Sequence, residues 1–306
     1  MTAVPVIPFK AGNACLDWIE LTDALAKGHE MPKAEIADTF LYRDPDTLLN
    51  RAAWINGLGL AVKSATVFPG NATKGVSTIN GGVSLYSDET GILEAIIDFH
   101  LVTKWKTAGD SLLAARRLAR TDSQNILIVG AGTQARGLHD AYNALFPTAT
   151  FTIWNRTRAK AENLATELGG LFVADDLETA VRSSDIITCA TMSTEPVIKG
   201  EWLKPGQHID LIGAYRPDMR EVDDIALSRA RVFVDSLDTT VGHIGELKIP
   251  IENAAFSASD IVADYYSLGH FERSSKDEIT LFKNGGGAHL DLMTSRYILE
   301  MWRQRA

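Results

Sequence analysis

The chain has 306 residues, 45% hydrophobic and 23% charged, a composition that excludes a disordered polypeptide and is long enough for two domains. A formal charge of −9 argues against nucleic acid or an anionic membrane surface as a partner, and no apolar run reaches the roughly 18 residues of a membrane span. Two cysteines, Cys15 and Cys189, cannot build a disulfide framework or a cysteine-based zinc site, and the amino terminus has no signal layout, so a cytoplasmic protein is expected.

The first hundred residues mix β-type runs with turn clusters. Gly59 to Phe68 (GLAVKSATVF) alternates small or apolar with polar residues and stops at Pro69-Gly70-Asn71, a turn signal. Gly81 to Tyr86 and Ile92 to Ile97, separated by Ser87-Asp88-Glu89-Thr90-Gly91, predict an antiparallel hairpin. Near residue 107 the pattern changes. Thr107 to Arg120 has alanines and leucines at helical spacing, with Thr107 placed as an N-cap. Strands and helices then alternate: Asn125–Val129, helix from Gln134 to Phe146, Phe151–Trp154, helix from Arg158 to Leu168, and Leu171–Val173. A helix over 177–182 and strands over 185–190, 208–212 and 231–235 continue the series. Such alternation predicts a parallel sheet covered on both faces. From Glu278 a strand ITLFK, a glycine run and a last helix form a tail expected to return to the first stretch.

Strand Asn125–Val129 runs into Gly130-Ala131-Gly132-Thr133-Gln134-Ala135, a G-x-G-x-x-A. Gly130 suits the tight turn, Gly132 lets backbone approach a pyrophosphate, and Ala135 allows close helix–strand packing. An isolated motif of this kind fits any tight turn between strand and helix. Here an apolar strand precedes it, a helix follows, and a second strand comes about 20 residues on, as dinucleotide binding requires. That second strand ends in Trp154-Asn155-Arg156-Thr157-Arg158, with no acid to accept from a ribose 2′-hydroxyl. Two guanidiniums and a hydroxyl suit a 2′-phosphate, so the expected cofactor is NADP(H). Thr191, at the end of Thr188-Cys189-Ala190-Thr191, is placed near the nicotinamide half; Cys189 reads as a small buried apolar residue.

Three cations look out of place in the first stretch. Lys63 lies inside a strand run, Arg51 among Leu48-Leu49-Asn50 and Ala52-Ala53-Trp54, and Lys106 just before Thr107-Ala108. They either clamp an anionic, carboxylate-bearing substrate or are snorkelling surface cations. The seven histidines lack metal-ligand spacing, and neither H-E-x-x-H nor G-x-S-x-G occurs; no metal is expected.

Several blocks together resemble the ornithine cyclodeaminase/mu-crystallin family over nearly the whole chain. They are Val62-Lys63 through Asn71, Thr90-Gly91 through Ala95, Thr103 to Ala108, the glycine loop, Gly213-Ala214-Tyr215-Arg216-Pro217-Asp218-Met219-Arg220-Glu221, and Phe282-Lys283-Asn284-Gly285. The resemblance implies an α/β homodimer. A Rossmann-type doubly wound sheet at 107–281 would be inserted into an α+β substrate-binding and dimerisation domain built from 1–106 and 282–306. It implies Lys63 as the catalytic, substrate-carboxylate lysine, Lys106 in place of the family's arginine, Arg51 or Arg43 as a second carboxylate ligand, and Asn71 beside the substrate. Toward the cofactor it implies Thr107, Gly213 and Lys283 in addition to Gly130, Gly132, Thr133, Gln134, Ala135, Asn155, Arg156, Thr157, Arg158 and Thr191. The cyclodeaminases carry an aspartate where this chain has Tyr215, whose phenol cannot replace a carboxylate base. With Asn155-Arg156 at the second strand, this favours an NADPH-dependent reductase of cyclic imine-2-carboxylates, giving proline or pipecolate. The alternatives are ornithine cyclodeamination and a mu-crystallin-like dinucleotide-bound ligand-binding protein.

Overall fold

The computed structural model describes residues 4–305. The chain divides into two compact units, one running to Lys106 and resuming at Gly287, the other spanning Thr107–Gly286.

The first unit is built on β1 (Val6–Ile7), β2 (Glu35–Arg43), β3 (Asp46–Ile55), β4 (Gly59–Val67), β5 (Ile79–Tyr86) and β6 (Leu93–Asp98). They form one sheet in the order β1-β6-β5-β4-β3-β2, antiparallel except for β1 on β6. The alternation read in β4 sets its register: Gly59, Ala61, Lys63 and Ala65 fall on the buried face. The helices Trp18–His29 and Ala288–Arg305 pack against each other, and the latter against β3, β4 and β5. Asp17 caps the first of these helices, its Oδ1 accepting from the amides of Ile19 and Glu20. Leu21 and Leu25 on its inner face are fully buried, each worth about 1.5–3 kcal/mol of transfer free energy. Strands β2 and β3 carry no clean period-two signal, and sequence reading assigned them no element.

Thr107 is not a helix cap. The helix runs Phe99–Leu118, and its first turn is closed by Asp98, whose Oδ1 accepts from Leu101 N at 2.9 Å. Alanine and leucine spacing is clear only from Thr107 on, which is why the sequence placed the start eight residues late. Thr107 is buried in mid-helix.

The second unit contains β7 (Asn125–Val129), β8 (Thr150–Trp154), β9 (Leu171–Val173), β10 (Ile186–Cys189), β11 (His208–Leu211), β12 (Arg231–Val234), β13 (Ile261–Ala263) and β14 (Thr280–Lys283). All pair in parallel, in the order β13-β12-β14-β11-β10-β7-β8-β9. Strands β7, β10, β11, β12 and β14 are buried almost throughout, the pattern of a sheet covered on both faces. One expectation is corrected here: the strand of the ITLFK run does not leave with the carboxyl-terminal tail. It lies between β11 and β12, because Leu281 and Phe282 are apolar on both faces and complete the core. Only the last helix joins the first unit.

Candidate functional site

In the second unit the sequence motif becomes a cradle. Gly130 has φ +109°, and a Cβ there would stand 2.7 Å from the Ala190 carbonyl, so the turn itself requires glycine. Gly132 is different. Its φ is −86°, and a Cβ would meet nothing within 4 Å. Nothing in the protein excludes a side chain at Gly132; the open space suits a ligand phosphate at the start of the helix Thr133–Leu145. Ala135 is fully buried against the sheet. The residues present therefore fit a dinucleotide.

A cavity of about 300 Å³ opens here, lined among others by Gly130, Gly132, Asn155, Arg156, Lys160 and Thr191, and by no carboxylate. Asn155 ties the glycine loop to the next helix, its Oδ1 accepting from Ala131 N at 3.1 Å and its Nδ2 donating to Thr157 O at 2.9 Å. Glu221 pins two further strand ends. One oxygen accepts from the amide and hydroxyl of Thr191 at 2.7 and 2.9 Å, the other from Gly213 N at 2.6 Å. A Cβ on Gly213 would collide with Thr191 O at 1.9 Å, so that junction admits only glycine. Beneath it lies Glu246, whose carboxylate accepts from the amides of Glu221 and Val222; burial, then the charge of Glu221, pushes its pKa up to about 7. Cys189 is buried and its thiol is pushed well up by burial, as expected of a packing residue.

Of the thirteen expected cofactor residues, Gly130, Gly132, Asn155, Arg156 and Thr191 line the cavity; the other eight do not, and three of those are engaged elsewhere. Arg158 is committed to Glu162, at 2.7 Å, and to Asp175. Lys283 is fully buried and spends its ammonium on the carbonyls of Leu211 and Asn284. Thr107 gives its carbonyl to Asn284 Nδ2. Lys160, which does line the cavity, was not singled out from the sequence; its signal was a second base in the first turn of a helix that has no acid there.

In the first unit the out-of-place cations converge on a residue the sequence reading missed. Lys63 Nζ donates to Asp291 Oδ1 at 2.9 Å and lies over the Phe99 ring, 4.7 Å from its centroid. Lys106 Nζ is 3.8 Å from the same oxygen. Side-chain exposures of 8%, 7% and 2% for Lys63, Lys106 and Asp291 show that these are interior charges, not snorkelling ones. Burial would raise the Asp291 carboxyl, but Lys106, Lys63 and Arg51 outweigh it and hold its pKa below the ordinary value. His289, two residues earlier in the same helix, is pushed down to about 3 by burial and by Lys106, and is neutral at pH 7. The signal for Asp291 was available: an acid flanked by leucines in AHLDLM is as anomalous as a lysine in LAVKSATVF.

Arg51 faces Lys63 in register across β3 and β4, and bonds Asp38 at 3.1 Å. Arg43 lies at the β2–β3 turn, 78% exposed and paired with Asp46, so of the two arginines only Arg51 is near the cluster. Asn71 sits in the turn Pro69–Lys74 and donates to Ser77 O, holding that loop. Tyr215 is 58% exposed, with the Arg216 guanidinium 5.9 Å from its ring centroid.

The ornithine cyclodeaminase/mu-crystallin family matches residues 54–306. A Δ1-pyrroline-2-carboxylate reductase of Paracoccus denitrificans is 48% identical over 291 residues, 92% of each chain. Among solved structures, a Thermococcus litoralis Δ1-pyrroline-2-carboxylate reductase in complex with NADH and L-proline superposes with a TM-score of 0.88 at 24% identity, covering 99% of this chain and 98% of that one. An archaeal alanine dehydrogenase dimer with bound NAD gives 0.88 at 25% identity, over 99% and 97% of the two chains.

Proposed function

Because the chain belongs to the ornithine cyclodeaminase/mu-crystallin family, we propose that it is an NADPH-dependent reductase of cyclic imine-2-carboxylates, forming L-proline or L-pipecolate. The observation that carries this reading is the buried cluster of Lys63 and Lys106 around Asp291, in a chain whose 48% identical relative is named for that reduction. Lysine ammoniums held in an interior environment are matched to a substrate carboxylate, which adds a charge-assisted hydrogen bond there. Lys63 has donors to spare: one goes to Asp291 and the others are free to hold the substrate. A small planar imine anchored in this way presents its C=N carbon in one orientation. When bound, a reduced nicotinamide supplies the hydride, and an imine that arrives protonated needs no strong acid from the protein.

The open cradle at Gly132 supports a dinucleotide, and Arg156, with no acid at the end of β8, supports the 2′-phosphorylated form. On this reading the first unit holds substrate and the second holds cofactor. A homodimer fits the edge strand β2, whose nine residues are all exposed and include Phe40, Leu41 and Tyr42. Tyr215, at the place of the cyclodeaminases' aspartate, disfavours ornithine cyclodeamination.

The test is an absorbance assay at the NADPH band. Signal should fall with Δ1-pyrroline-2-carboxylate, and ornithine should release no ammonia. Lys63→Ala should raise KM and lower kcat/KM by about tenfold to a few hundredfold, the loss of one charge-assisted contact of roughly 1.5–3 kcal/mol. NADPH affinity should stay unchanged. Normal KM and turnover in that variant refute the assignment of Lys63.

A further inference from the structure

We propose that Lys160 is the second cation of the 2′-phosphate subsite and, with Arg156, sets the choice between the two nicotinamide dinucleotides. The inference rests on the NADPH reading above and assigns a residue that neither the glycine motif nor the end of β8 points to.

Arg156 and Lys160 line the same cavity, and no carboxylate shares its wall. Neither has an ion-pair partner among the described residues, in a chain where most of the neighbouring bases do. Arg158, between them in sequence, is taken by Glu162 and Asp175, and Arg136 by Glu167. Two positive charges left uncompensated at one cavity wall repel each other. An anion between them is attracted by both.

The backbone fixes where that anion would sit. Arg156 follows Asn155, which is held from both sides by Ala131 N and Thr157 O. Lys160 is the third residue of the helix Arg158–Leu168, its amide bonded to Thr157 O at 3.0 Å. Thr157, at the N-cap, makes no side-chain cap bond, and the first turn has no acid. Helix start, guanidinium and ammonium thus present positive charge to one wall. The two cations differ in what they recognise: a guanidinium grips two phosphate oxygens in a plane, and an ammonium adds a mobile point charge. A cavity that offers a 2′-hydroxyl no carboxylate acceptor, and a 2′-phosphate two free cations, discriminates by charge.

The experiment measures binding to the intact enzyme by calorimetry, with NADPH, NADH, 2′,5′-ADP and 5′-AMP as probes. The parent, Lys160→Ala, Arg156→Ala, Lys160→Arg and the double alanine variant are compared. Lys160→Ala should weaken NADPH and 2′,5′-ADP about tenfold, leaving NADH and 5′-AMP within about twofold. The double variant should bind NADPH and NADH alike, and Lys160→Arg should keep most of the parent's preference. Lys160 is exposed, so its removal should not move the melting temperature. If the parent prefers NADPH and Lys160→Ala retains that preference while Arg156→Ala loses it, Lys160 has no part in the subsite. A Lys160→Ala variant that weakens NADH and NADPH equally overturns the proposal as well. A parent that binds both dinucleotides equally refutes the NADPH reading itself, and the proposal with it.

Discussion

Replacing Asp291 by leucine isolates the interior ion pair. The parent buries one carboxylate with two ammoniums, at 2.9 and 3.8 Å, all three side chains at most 8% exposed. Removing one partner of a buried pair strands the other, at a cost of about 3–5 kcal/mol. At about 2–4 °C per kcal/mol, Asp291→Leu should melt roughly 6–20 °C below the parent. Lys63→Met alone should be destabilising for the same reason. The Lys63→Met/Asp291→Leu double variant, apolar on both sides of the contact, should recover a large part of the loss. Urea denaturation followed by tryptophan fluorescence reads this in the right unit, since Trp18 and Trp105 stack there with centroids 3.8 Å apart. The pH dependence has a definite sign. The folded-state pKa of Asp291 lies below its ordinary value, so its contribution is present above about pH 4 and is lost as pH falls through the depressed value. Asp291→Leu should therefore lose less stability than the parent across that acid range. Single variants as stable as the parent, or losses that simply add in the double variant, would refute the coupling.

Two other perturbations probe the second unit. Gly132→Ala should leave the melting temperature unchanged, because its Cβ meets no protein atom, yet weaken dinucleotide binding; Gly130→Ala should destabilise by about 1–3 kcal/mol through its positive φ and the Ala190 carbonyl. Calorimetry and thermal melts on the same samples separate the two effects. Burial pushes the Asp210 carboxyl up to about 7, despite bonds from Thr188 and Tyr142 hydroxyls. The native state then binds the extra proton between about pH 4 and 7, so this group's contribution declines as pH rises through that window and levels off above it. Asp210→Asn should flatten that slope, by a few kcal/mol in total, in urea titrations at stepped pH.

The second unit was legible because its signals are local. Strand, glycine turn and helix follow one another within some 20 residues, and burial on both faces writes each strand as an apolar run. β2 was illegible for the opposite reason: exposed on both faces, EIADTFLYR has no burial period to display. Arg158 misled because its competitors, Glu162 and Asp175, lie on the following turn and the following strand connection. Lys63 could be recognised as a costly interior charge from its neighbours alone. The acid in AHLDLM carries the same kind of anomaly, but that the two pair is not legible, since Asp291 lies 228 residues away and the contact exists only once the last helix docks on β4.

The place of β14 bears on synthesis. It enters between β11 and β12, although 68 residues separate Leu211 from Thr280 and the pairing of β12 to the rest of the sheet runs only through it. A nascent chain can pair β9, β8, β7, β10 and β11 as they emerge, but β12 and β13 have no neighbour inward until β14 has also been made. During that interval β11 presents an open apolar edge, the kind of surface on which another chain can pair.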